Sequence, residues 1–144
     1  MSYDPGAGRP QIANSTAKTT TNQTGSTIAK FIPVKITTTG MALVDVSVET
    51  DISAFAGVTA SSVNNGAPGD VVNNGLVTDT GLGFSAGDRV YISKSGGVTN
   101  VKPDIGVGGF VSGDWVVALG VCALNESNMS LLDVIVFIEI KGQL

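Results

Sequence analysis

Three aspartates sit in the same local setting: Pro68-Gly69-Asp70-Val71-Val72, Ala86-Gly87-Asp88-Arg89-Val90 and Ser112-Gly113-Asp114-Trp115-Val116. Carboxylates build metal sites and acid–base pairs, so these residues are weighed first. Each follows a glycine and precedes a strand-like run, the position where an Asp side chain accepts from nearby backbone N–H groups. Calcium needs several oxygens from one loop, and no such spacing is present. Turn chemistry is the reading. Gly81-Leu82-Gly83-Phe84-Ser85-Ala86 fits the loose dinucleotide pattern, which must open a helix whose N-terminus receives the pyrophosphate. Here it runs into Gly87-Asp88 and a strand pattern, so no nucleotide site is expected. Lys94-Ser95 lacks the upstream glycines of a phosphate loop. Cys122 has no imidazole to activate it, because the chain contains no His. It reads as a small buried apolar residue. Trp115 lies in an apolar run and reads as a core anchor, whereas Arg89 and Tyr91 fall on an outward face. No catalytic residue, cofactor or metal is expected, and the chain is not read as an enzyme.

Composition narrows the partners. The 144 residues suit one domain, large enough to bury about 68–70% of its unfolded surface without disulfide or metal. Charged residues make up 14% against 42% hydrophobic, which fits a chain that buries surface against itself and against partners. A net charge of −4 argues against nucleic acid as partner. The charge is uneven: residues 1–40 carry Arg9, Lys18, Lys30 and Lys35 against Asp4 alone. A single Cys fits a reducing compartment, no signal-like N-terminus is visible, and Val134 to Ile138 is too short an apolar run to span a bilayer. Asn14-Ser15-Thr16 and Asn22-Gln23-Thr24 match the glycosylation acceptor pattern and, without a secretion signal, are read as chance.

The elements that would position these residues are strands. Residues 1–27 are polar and glycine-rich with almost no apolar content, the composition of a disordered tail or of an arm that orders only against a partner. Phe31 to Ile36 reads as an edge strand around Pro33. Met41 to Thr50 reads as a strand with Ala42, Val44, Val46 and Val48 inward. A short helical turn is expected within Asp51 to Ala56, then a strand over Gly57 to Val63. Val71 to Thr78 is a strand interrupted by Asn73-Asn74-Gly75, a hairpin turn or a bulge. Val90 and Ile92 point in, with Arg89, Tyr91 and Ser93 out. Val98 to Val101 follows, then a glycine-rich loop over Lys102 to Ser112. Trp115 to Ala123 is apolar on both faces and therefore central. Leu131 to Ile140 places Leu132, Val134, Val136, Ile138 and Ile140 on the core face, with Ile135 and Phe137 outward, where another layer or subunit would cover them. Gly57-Val58-Thr59-Ala60 echoes Gly120-Val121-Cys122-Ala123, which suggests related hairpins. The expected fold is all-β, a small barrel or sandwich at 31–144, with an extended N-terminal arm at 1–30.

The run Thr78 to Ile92 with its Gly87-Asp88-Arg89-Val90-Tyr91 strand, then Gly96-Gly97-Val98-Thr99, then Val117 to Leu124, resembles a β module of tailed-bacteriophage structural proteins. It looks like the small capsid decoration (cement) proteins, and also like modules of phage head or tail fibres. The resemblance covers roughly residues 57–140. It implies a β module on the outside of an icosahedral shell, often a trimer at local threefold positions, with an arm crossing to a neighbour. The implied partner is the major capsid protein, and the location is the virion surface after synthesis in the host cytoplasm. The expected contacts are Arg9, Ile12, Lys18, Ile28, Lys30 and Phe31 from the arm, with Ile135 and Phe137 from the body. The alternative is a fibre module that binds a host receptor or glycan, for which Tyr3 and Tyr91 are the plausible aromatics. Neither reading involves nucleic acid or a membrane.

Overall fold

The computed structural model describes residues 16–144. Among them nine strands form one antiparallel sheet that curls into a half-barrel. In chain order these are β1 Thr16–Thr21, β2 Pro33–Thr37, β3 Gly40–Leu43, β4 Phe55–Thr59, β5 Pro68–Val77, β6 Arg89–Ile92, β7 Val98–Thr99, β8 Trp115–Leu124 and β9 Leu132–Gln143. One short helix, α1 Glu49–Ala54, stands between β3 and β4.

Across the sheet the order is β3-β2-β4-β5-β9-β8-β6-β7, with β1 pairing β5 beside that path. The order is a palindrome of two four-strand units, β2 to β5 and β6 to β9. They meet at β5 and β9, where Asn74 lies opposite Phe137, the same position in each unit. Detail repeats as well as topology. Val34 faces Gly57 and Val90 faces Gly120, each with a register shift directly after it. A Cβ on Gly57 would collide with the Val72 carbonyl oxygen, and one on Gly120 with that of Ile135, so both positions admit glycine alone. In the first unit the Phe31 N–H donates to the Thr59 carbonyl at 2.9 Å, and the Thr59 N–H to that of Ile32 at 3.0 Å. In the second, the Gly87 N–H donates to the Cys122 carbonyl at 2.9 Å, and the Cys122 N–H to that of Asp88 at 2.8 Å. The turns match too: the Thr37 and Thr39 hydroxyls lie 3.1 Å apart after β2, and those of Ser93 and Ser95 3.0 Å apart after β6. The Gly-Val-x-Ala echo is the visible part of a repeated unit.

The main core gathers Phe31, Val46, Val58, Val90, Ile92, Val117, Leu119, Val134 and Val136, all fully buried, and Phe110 folds in from the glycine-rich loop. A second cluster joins Ile28, Val34, Met41, Val63 and Val71. Several expectations change here. Residues 16–30, assigned by composition to an arm, are tied into the body from Thr16 on. β1 pairs with β5, and the Asn22 and Ile28 backbones bond to Ala67, Gly66 and Val63. The strand expected over 41–50 stops at Leu43, because the Asp45 carboxylate takes the Ser47 N–H at 2.9 Å and turns the chain. Met41 rather than Ala42 is therefore buried, and Val48 is exposed. β5 runs straight through Asn73-Asn74-Gly75. The irregularity there is a bulge toward β1, since Thr16 pairs Asn74 but Ala17 pairs Val72. Tyr91, expected outward, is 6% exposed, packed with Val116, Ala118 and Leu144 on the second face of β8. Ile140, expected in the core, is 47% exposed. β9 shifts register twice against β8, which breaks the alternation before that residue is reached.

Candidate interaction surface

The acidic residues serve structure. The Asp88 carboxylate accepts from the Ser85 N–H at 2.9 Å and from the Asn100 amide at 3.0 Å, and these bonds hold its carboxyl below the usual range. Asp114 is 1% exposed. Burial pushes its carboxyl up, but the Lys94 ammonium at 2.7 Å and the Val111 N–H at 2.9 Å outweigh it and hold the carboxyl low. Asp70 departs from the turn reading: it stands within β5 and accepts from the Thr19 hydroxyl at 2.7 Å. Asp51 is buried and paired with Lys35. Cys122 is buried, and desolvation, helped by the Asp88 charge, pushes its thiol up, away from nucleophilic use. The Gly81 to Ser85 run is irregular chain that leads to β6, so no helix N-terminus meets it. Among the described residues no three His, Cys, Asp or Glu side chains converge, every buried side-chain N or O has a partner, and no helix is long and apolar enough to cross a membrane.

What the molecule presents instead is surface. Arg9 and Ile12, expected as arm contacts, lie outside the described residues. Lys18 is exposed on β1, and Lys30 is half-buried. Ile28 and Phe31, expected as anchors for a partner, are 4% and 0% exposed and sit inside the body's own clusters. Phe31 is held there with φ of +61°, the conformation its counterpart Gly87 adopts at +92°. Ile135 and Phe137 do face outward, 45% and 40% exposed. Beside them a cleft of about 520 Å³ is lined by Phe55, Ala56, Asn73, Asn74, Phe137, Ile138 and Ile140.

Two further features were not singled out from the sequence. The glycine-rich loop exposes Val101, Ile105, Val107 and Val111. Its composition gave no periodicity from which an exposed row could be read. A groove of about 430 Å³ lies between Arg89, Tyr91, Lys102, Pro103, Val116 and the chain end from Lys141 to Leu144. Its cations are far apart in sequence: the pairing of β6 with β8 and of β8 with β9 brings Arg89 and Lys141 to one side of the sheet, and the loop after β7 adds Lys102. Comparison with protein-family models, curated proteins and solved structures returns no match for this chain.

Proposed function

We propose that the protein is a structural virion component that docks on the outside of an icosahedral phage shell, bridges neighbouring copies of the major capsid protein, and acts as a homo-oligomer. The observation that carries this reading is the outward pair Ile135 and Phe137 beside a cleft of mixed polar and apolar lining, on a central strand paired with β5 and β8. Large apolar side chains on the outer face of a rigid central strand mark a surface that a partner covers. Repetition around a symmetric shell turns many weak contacts into firm attachment.

The test is co-sedimentation with empty shells of the phage that encodes the gene, followed by thermal melting of the shells. Added protein is expected to sediment with the shells and raise their melting temperature, and Phe137→Ser with Ile135→Ser is expected to abolish both effects. Absence of binding, or binding indifferent to the double variant, overturns the reading.

A further inference from the structure

The described chain carries seven cations, and their distribution is uneven. Lys35 and Lys94 are committed to ion pairs with Asp51 and Asp114. Lys18 and Lys30 belong to the first segments. The remaining three, Arg89, Lys102 and Lys141, all line one groove. In a chain of net charge −4 this is a local reversal of sign.

The groove is built, not incidental. Its floor is apolar: Tyr91 and Val116 are each 6% exposed and pack with Leu144. Its wall is fixed by the chain end. The Leu144 N–H donates to the Asp114 carbonyl at 2.8 Å, and the Leu144 carbonyl accepts from the Gly113 N–H at 2.8 Å. The Gln143 amide donates to the Gly113 carbonyl at 3.0 Å. The Ser112-Gly113-Asp114 turn is in turn pinned by the buried Lys94–Asp114 pair. Among the described residues, Lys141 pairs with Glu139 at 3.0 Å, and that pair is exposed and screened. Concave sites with an apolar floor and a few convergent polar groups hold ligands in preference to flat surface.

We infer that this groove is a binding site for a carboxylate-bearing peptide segment, with acidic side chains at Arg89 and Lys102 and an apolar residue between them on Tyr91 and Val116. Arg89 supplies a planar fork suited to a carboxylate. A peptide fits better than nucleic acid: the overall negative charge repels a long polyphosphate, whereas a short acidic segment meets only the local field. The groove shares no lining residue with the cleft beside Ile135 and Phe137, and its test does not depend on a shell.

The experiment is an NMR titration of the full chain with short peptides alternating Glu and Leu, beside peptides alternating Gln and Leu and a short DNA duplex. The Glu peptide is expected to shift the amides of Arg89, Tyr91 and Gly142. Its affinity should fall at least about tenfold in Arg89→Gln with Lys102→Gln, while Lys18→Gln leaves it unchanged. Raising the salt should weaken it as well. Equal binding of the Gln peptide, equal binding of the duplex, shifts centred elsewhere, or no binding at low salt would each overturn the assignment.

Discussion

Asn22 decides whether the body begins at Thr16 or after residue 30. Its side chain is fully buried and makes four hydrogen bonds. The amide donates to the Ser26 carbonyl at 2.7 Å and the Val63 carbonyl at 2.9 Å, and the side-chain oxygen accepts from the Thr24 N–H at 2.9 Å and the Thr24 hydroxyl at 2.7 Å. Its backbone joins the same junction through Ala67 and Gly66. Asn22→Ala removes all four side-chain bonds. The Val63 carbonyl keeps the Ile28 N–H at 2.9 Å, which limits the damage. At the usual net value per bond, the loss is about 2–4 kcal/mol. With a urea slope ordinary for a small domain, the unfolding midpoint should fall by about 1–2 M at constant slope. Lys18→Ser, on the exposed side of the same segment, should stay within about 0.5 kcal/mol of wild type. An Asn22→Ala midpoint equal to wild type would refute the claim that this segment belongs to the folded body. By the same reasoning, removal of residues 16–27 takes β1 off β5 and leaves the Pro68 to Val72 backbone without its partner strand, so the shortened chain should be less stable.

Two further predictions follow from the repeated unit and from its aspartates. Gly57→Ala and Gly120→Ala should each lower stability by more than about 1 kcal/mol in thermal unfolding, because the new Cβ meets a neighbouring carbonyl oxygen in both. Gly83→Ala, whose Cβ meets nothing within 4 Å, should be neutral or slightly stabilising. For pH, hydrogen bonds and, at Asp114, the Lys94 ammonium hold the Asp45, Asp88 and Asp114 carboxyls below the usual carboxylate range in the folded state. Their stabilising contribution is therefore complete above that range and is lost as pH falls through the depressed native values. Stability measured by denaturant titration should be flat near neutrality and decline below about pH 4, and Asp88→Asn should make that decline shallower. A decline that begins near pH 6 would contradict the assignment.

Much of the sheet was legible because its signals are local. Period-two alternation located β6, β8 and most of β9, and the Gly57 and Gly120 echo marked the repeat. The failures have a common cause in long-range pairing. Phe31 reads as an exposed arm anchor because nothing nearby in sequence shows that its N–H bonds Thr59 and its ring fills the core. Residues 16–30 read as a tail because β1 owes its order to β5, not to apolar content of its own. Ile140 was misplaced because alternation presumes a constant register, and β9 changes register twice. The basic groove draws residues from four separated stretches, so no window of the sequence contains it.

The two register shifts also bear on which part of β9 a partner meets. From residue 134 to 136 the strand is paired on both sides, with β5 and β8, and Phe137 pairs with β5. From 139 to 143 it pairs with β8 alone among the described residues, which leaves an open edge. Open edges invite uncontrolled strand addition, and proteins guard them with charges and bulges. This edge has both: Glu139 and Lys141 stand on it, and the register breaks before Glu139 and again at Lys141. The guarded end and the apolar, fully paired middle therefore divide the labour. Under the proposed function, a partner would be turned away from the backbone edge and received on the side chains of Ile135 and Phe137, beside the part of β9 that is paired with both β5 and β8.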